Sequence, residues 1–235
     1  MRRMLIATAV VGVVLAAVAQ PVDAQLRRAR ARGGFGVYGT LARPMGEFQD
    51  FVEWGGGFGV YGLYTFDRRG RFGLRMDGTF LLYGHERYTV PFSPYVARVL
   101  VDVSTDNLIA GLGAGPQITL GSGGFRPYAF GTVGFSYFAT VSSIGGSDGG
   151  ETFASTTNFD DVTLALNWGG GILTRIARGR HSVWLDLSAQ STYNGEAEYL
   201  NRGGIVEYGD GSVVLHPIVS DANLMTFRVG ILVGL

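Results

Sequence analysis

Apolar positions alternate with polar or very small ones along residues 223–235 (NLMTFRVGILVGL). Met225, Phe227, Val229, Ile231, Val233 and Leu235 fall on one face of an extended strand, and Thr226, Arg228, Gly230 and Gly234 on the other. At the edge of an ordinary sheet such a chain end would expose unpaired backbone beside an oily face. In a closed barrel it pairs with the first strand, and lipid solvates the apolar face. The same period of two predicts strands at 33–42, 55–66, 71–84, 106–120, 125–141, 161–176, 181–193 and 223–235. Most are long enough for a tilted strand to cross a bilayer. The connections after the second, fourth and sixth strands are the tight turns DRRG, GSGG and ARGR; the others run roughly 12 to 29 residues. Long and short connections alternate as in a transmembrane up-and-down barrel.

The faces separate a membrane barrel from a soluble one. In the third strand Phe72, Leu74, Met76, Phe80 and Leu82 share a side, opposite Gly73, Arg75, Asp77, Thr79 and Tyr83. Flipping that strand would put Arg75 into lipid at about 2–4 kcal/mol near the midplane. The sixth strand sets Val162, Leu164, Leu166, Trp168 and Ile172 against Thr163, Asn167, Gly169, Gly171 and Arg175. The seventh sets Val183, Leu185, Leu187 and Ala189 against Asp186, Ser188 and Gln190. Oily residues face out, the reverse of a lipocalin-like barrel. Tyr64, Phe66 and Phe72 flank the DRRG turn, and Phe58, Phe80, Phe135, Tyr137, Tyr193 and Phe227 lie toward the other rim, giving two aromatic girdles. Trp168 lies nearer mid-strand, off both girdles. The predicted fold class is therefore all-β, an eight-stranded antiparallel up-and-down transmembrane barrel spanning 33–235.

Composition fits that picture. Glycine accounts for 38 of 235 residues and charged residues for only 16%, which favours short strands joined by tight turns. Cysteine is absent, so disulfides, thiolate metal sites and cysteine nucleophiles are excluded. The zero formal charge gives no reason to expect nucleic-acid binding. Residues 1–24 read as a cleaved signal peptide: Arg2 and Arg3, an apolar run from Met4 to Ala19, then Val22-Asp23-Ala24 at the cleavage site. A basic leader, 25–32, follows. Of the 19 acidic residues, 15 lie in the four long connections or, as Asp106 and Asp161 do, at the first residue of the strand that follows one, while Arg68, Arg69, Arg71, Arg178 and Arg180 sit at short turns. The long-loop end is expected to be acidic and to face outward, solvated or holding divalent cations beside anionic headgroups.

The segments RPYAFGTVGF (126–135), LALNWGGGI (164–172) and FRVGILVGL (227–235) resemble the small outer-membrane β-barrel family that includes the opacity proteins and outer-membrane proteins A and X. The resemblance implies insertion by the barrel-assembly machinery, which reads the last strand through Phe227, Val229, Ile231, Val233 and Leu235. Members commonly end in Phe, a place Leu235 takes here. It also implies an outer-membrane location beside lipopolysaccharide and a role in adhesion, envelope stability or evasion more often than in transport.

Eight strands leave an interior only wide enough for side chains. Arg75, Asp77, Asp186 and Arg228 fall on the inner face, two of each sign, and are expected to pair into a neutral plug, because unpaired charges there would be costly. Inward Gly111, Gly113, Gly115, Gly169 and Gly171 leave room for water and keep a narrow channel open as the alternative. Segments 88–103 and 205–219 are rich in β-branched residues and able to extend strands above the membrane, where they either bind a partner strand or pack into a rigid cap; GGSDGGETFASTTN between the fifth and sixth strands reads as a flexible polar loop. A lipid A-modifying hydrolase is a further alternative, since His216 with Ser220 and Asp221, or His85 with Glu86 and Ser93, supplies triad residue types. Neither set has a diagnostic spacing. The histidines, the third being His181, show no metal-binding pattern, and no cofactor motif is present. The sequence reading is a non-enzymatic outer-membrane barrel with a plugged lumen and surface contacts through acidic loops.

Overall fold

The structure is a computed structural model and describes residues 33–67, 69–93, 96–146, 152–179, 181–200, 205–207 and 213–234. The expected signal peptide, the basic leader and Leu235 lie outside the described residues. Seven long strands come first: β1 Gly33–Met45, β2 Gly55–Thr65, β3 Phe72–Ser93, β4 Val96–Thr119, β5 Phe125–Gly146, β6 Thr152–Ala177 and β7 Val183–Asn194. Four short strands follow, β8 Glu196–Tyr199, β9 Ile205–Glu207, β10 Val213–Leu215 and β11 Ile218–Asp221, before the closing strand β12 Asn223–Gly234. Each long strand pairs antiparallel with the next, and β12 returns to β1 in a register running from Gly34↔Gly234 to Met45↔Asn223. The ring of eight is closed, so no barrel strand is left as an edge.

Alternation decides what each face meets. Phe227, Val229 and Ile231 of β12 are exposed while Thr226, Arg228, Gly230 and Leu232 between them are buried. Leu74 and Met76 of β3, Leu164 and Leu166 of β6 and Leu187 of β7 continue the apolar exterior around the ring. Trp168 is on that outer face, 64% exposed. A continuous apolar band of this extent needs a solvent other than water.

The short turns at 66–71 and 120–124 need glycine where the backbone enters the left-handed region, at Gly70 (φ 67°) and Gly121 (φ 76°). In the first turn the Asp67 carboxylate accepts backbone N–H groups from Arg69, Arg71 and Phe72 at 3.3, 2.5 and 3.1 Å. Desolvation pushes this carboxyl up, but those donors outweigh it and hold the group below its ordinary value.

Four strands run past their predicted bounds, β3 and β4 as the β-branched residues of 88–103 led us to expect, β5 and β6 further than their polarity suggests. β3 and β4 continue as a hairpin to Ser93↔Val96, and β5 and β6 pair to Gly145↔Thr152, so the segment expected as a third flexible loop is largely strand. Hydroxyl pairs replace apolar contacts there: Ser104 with Ser143 and Thr105 with Ser142, each at 2.8 Å, and Asn158 Nδ2 donating to Ser142 at 2.7 Å. The result is a four-stranded sheet standing above the barrel. β2 stops pairing with β3 at Gly56↔Leu82, next to a register shift between Leu82 and Gly84, which frees β3 to rise.

Candidate functional site

The repeated sequence GGFGVYG at 33–39 and 56–62 builds the first part of the lumen. In the β1–β2 register Gly36 lies opposite Tyr61 and Tyr38 opposite Gly59. Each tyrosine lies where the other copy's glycine leaves space. A Cβ on Gly36 would stand 2.3 Å from the Tyr61 ring, and one on Gly59 2.3 Å from the Tyr38 ring. The two rings pack with centroids 6.2 Å apart.

This aromatic pair organises the charges. Asp77 accepts hydrogen bonds from Arg75 Nε, from Arg228 Nη1 at 3.3 Å and from the Tyr38 hydroxyl at 2.9 Å. Arg75, 1% exposed, also donates to Gln117 Oε1 at 3.1 Å. Its guanidinium lies 3.8 Å from the Tyr61 centroid and 4.4 Å from that of Phe130. Arg228, 3% exposed, lies 4.5 Å from the Tyr38 centroid. Asp186 is held differently: the Tyr61 and Tyr128 hydroxyls donate to its two oxygens, each at 2.6 Å. The structure therefore brings Arg75, Asp77 and Arg228 into direct contact and connects Asp186 to them through Tyr61, which stacks on Arg75 with its ring and bonds Asp186 with its hydroxyl. The layer is neutral, two guanidiniums against two carboxylates.

Of the inward glycines expected to leave room for water, three are tightly packed. A Cβ would meet Gly131 O at 2.0 Å from Gly115, Ala189 O at 2.4 Å from Gly169, and Leu187 O at 2.5 Å from Gly171. Gly111 and Gly113 do border a cavity, of about 40 Å³, together with Asp77, Thr79, Asn167, Gln190, Thr226 and Arg228. That is room for one to a few waters. The amides are bonded among themselves, Gln190 Nε2 to Asn167 Oδ1 at 2.9 Å and Thr192 Oγ1 to the same oxygen at 2.7 Å.

Toward the long loops the lumen becomes apolar. Leu81, Ile109, Phe138 and Leu224 form a layer on the cavity's far side. Above it a short 3-10 helix, Gly46–Asp50, inserts Phe48, which is 0% exposed. Phe48 packs edge-on against Tyr199 of β8 and Tyr83 of β3, with centroids 4.9 and 5.6 Å away. β8 is held by its pairing with β11, by the Glu198 N–H donating to Asp161 Oδ2 at 2.8 Å, and by the Tyr199–Ser220 hydroxyl contact at 2.8 Å. This stopper draws on the first and fourth connections. Sequence reasoning located neither Phe48 nor Tyr199, because nothing local marks a loop aromatic as inserted.

No hydrogen bond joins His216, Ser220 and Asp221 among the described residues. Ser220 is buried against Tyr199, while His216 is exposed. His85 Nδ1 is 2.6 Å from Asp106 Oδ1 on the exposed hairpin. On the same hairpin Asp102 accepts from Thr89 Oγ1 and Arg87 Nη2, each at 2.6 Å, and these bonds hold its carboxyl below its ordinary value. Beside the stopper a cavity of about 290 Å³ is lined by Phe51, Val52, Glu53, Trp54, Tyr83, Gly84 and Asn107. Its exposed aromatics and the Glu53 carboxylate suit a ligand with an apolar body and a cationic or hydroxylated tip. Among the described residues no group of three or more His, Cys, Asp or Glu is placed to hold a metal ion.

No protein-family profile matches the chain, and no curated protein matches it. Among solved structures, Ail, the attachment invasion locus protein of Yersinia pestis, crystallised with the heparin analogue sucrose octasulfate, is similar at 13% identity and a TM-score of 0.44. The match covers 87% of this chain and 99% of that one. Neisserial surface protein A is similar at 14% identity and a TM-score of 0.46, covering 87% of this chain and 98% of that one.

Proposed function

We propose that this chain is a non-conducting outer-membrane barrel with a structural role in the envelope and with surface contacts made by its long-loop end. One observation carries the reading: two layers of contacting inward side chains lie in series along the lumen, Arg75–Asp77–Arg228 with Asp186 and, toward the long loops, Phe48 with Tyr199. An ion would have to displace both. The apolar exterior and the closed strand ring support membrane insertion without a helix. Export through residues 1–24 and recognition of residues 227–235 by the assembly machinery belong to the same reading.

With the lumen closed, binding falls to the raised sheet and the adjoining cavity. The acidic residues of the loops favour a cationic partner surface.

Planar-bilayer recording of the refolded protein tests the closure. The folded protein is expected to be silent. Arg228→Ala alone and Phe48→Ala alone are expected to stay silent, because each leaves the other barrier intact, while the double variant opens. Steady openings of the unmodified protein would overturn the reading.

A further inference from the structure

At the short-turn end of the lumen, two guanidiniums share one buried indole. Trp184 of β7 is 5% exposed, and its Nε1 donates to Ser182 Oγ at 3.0 Å. Arg126 of β5 and Arg175 of β6 lie with their guanidinium carbons 4.7 and 5.0 Å from the Trp184 ring. The β6–β7 register sets Arg175 directly opposite Trp184. Both arginines are half-buried.

Neither has an ion-pair partner among the described residues. The carboxylates closest along the neighbouring elements are already engaged. Asp67 is taken up by its own turn and by Arg71 Nε at 3.4 Å. Asp186, two residues along β7 from Trp184, gives both oxygens to Tyr61 and Tyr128. Among the described residues Arg126 donates to neutral acceptors, Gly123 O at 3.2 Å and Ser122 O at 3.3 Å. Two like charges held on one ring are a local excess of positive potential, in contrast to the neutral layer in mid-barrel.

We propose that Arg126 and Arg175, mounted on Trp184, form an oxyanion site at the short-turn mouth of the barrel that binds a phosphate group. The indole restrains both guanidiniums, which lowers the ordering cost of presenting two forked donors together. A carboxylate fills one such fork with its two oxygens. A phosphate has further oxygens with which to engage the second. The group could arrive as free phosphate or as the phosphodiester of a lipid headgroup at that surface; the chemistry of recognition is the same.

Trp184 supplies the readout. The W54F/W168F protein, refolded in nonionic maltoside micelles, retains Trp184 as its single tryptophan and is titrated with inorganic phosphate against chloride at constant ionic strength. A saturable change in Trp184 emission, with a Kd at least tenfold weaker in R126Q and in R175Q, is expected if free phosphate is the ligand. If the headgroup is the source, the micelle titration is flat, and transfer to phosphatidylglycerol nanodiscs, compared with phosphatidylcholine, gives an emission change lost in both variants. R126K and R175K retain charge without the fork and are expected to fall between the Gln variants and the parent. An arginine-independent response or none in both settings overturns the site, and Lys variants equal to the parent overturn its forked geometry. Gel mobility before and after boiling establishes that each variant is folded.

Discussion

Replacing Asp77 with Asn isolates the part of the lumen that electrostatics holds together. The substitution retains size and leaves the hydroxyl donor of Tyr38 a carbonyl to bond. It removes the one carboxylate that Arg75 and Arg228 share, so the mid-barrel layer changes from two charges of each sign to two positive and one negative. Both guanidiniums are almost wholly buried, and Asp186 is already committed to Tyr61 and Tyr128. Removing one member of a buried charge set in this way costs about 3–5 kcal/mol, most of it the penalty of the charges left behind. Even about 3 kcal/mol lowers the folded-to-unfolded ratio more than a hundredfold. Urea unfolding of the protein in phosphatidylcholine vesicles, followed by tryptophan emission and by gel mobility, measures the change. Asp67→Asn is the control, a carboxylate of a solvent-facing turn with no role in the lumen. A D77N barrel within about 1 kcal/mol of the parent would refute the argument, because it would mean that water or the aromatic faces of Tyr61, Phe130 and Tyr38 already neutralise the arginines unaided.

Other expected outcomes follow from the same geometry. Gly36→Ala places a methyl 2.3 Å from the Tyr61 ring and is expected to cost about 1–3 kcal/mol in the same unfolding assay. Gly39→Ala, where a Cβ meets nothing within 4 Å, is expected to be near neutral. Phe48→Ala removes the centre of the stopper, at about 3–5 kcal/mol for a buried phenylalanine, and is read as faster proteolysis of the first and fourth connections while the barrel keeps its heat-modifiable mobility. Asp102 has a folded-state pKa below its unfolded value, so its bonds to Thr89 and Arg87 contribute above the ordinary carboxylate range and are lost as pH falls through the lower folded value. Carbon-detected titration of that carboxyl is expected to give a midpoint below that of a free aspartate, returning to the ordinary value in Thr89→Val/Arg87→Gln.

The number of strands and the direction each residue faces were legible because the side-chain period in a strand is two and lipid rejects charge. Arg75 and Asp77 fix β3, Asp186 fixes β7, and Arg228 fixes β12, with no knowledge of neighbours. What a period of two does not give is height along the barrel axis. That depends on the stagger between strands, and it decides that Asp77 meets both arginines while Asp186 meets Tyr61 and Tyr128. The doubled GGFGVYG segment was visible as a repeat, but its meaning needed the β1–β2 register, in which each copy's tyrosine lies across from the other's glycine. Trp184, whose neighbours Val183 and Leu185 mark it only as inward, gained significance once Arg126 and Arg175 were known to meet on it. Polarity misled in the β5–β6 hairpin, where Ser142 and Ser143 look loop-like until their hydroxyls are seen to meet Thr105 and Ser104 across the sheet.

The order of the layers in the lumen bears on what each contributes to the proposed closure. Charges hydrogen-bonded in a narrow interior specify one arrangement of β1, β2, β3, β5, β7 and β12, since a register slip in any of these strands would leave a guanidinium or carboxylate without its partner. Apolar contacts between Phe48, Tyr83, Tyr199 and Phe138 tolerate small shifts and add burial without that stringency. The charged layer is thus suited to set the register of the barrel and the stopper to anchor the loops to it. A separation of that kind predicts opposite sensitivities. Arg228→Ala should broaden the unfolding transition and let misregistered species form during refolding, while leaving the connections as protease-resistant as before. Phe48→Ala should free the connections and leave refolding yield unchanged. If both variants instead lose loop protection and refolding yield together, the two layers act as a single core, and the division of labour between them is refuted.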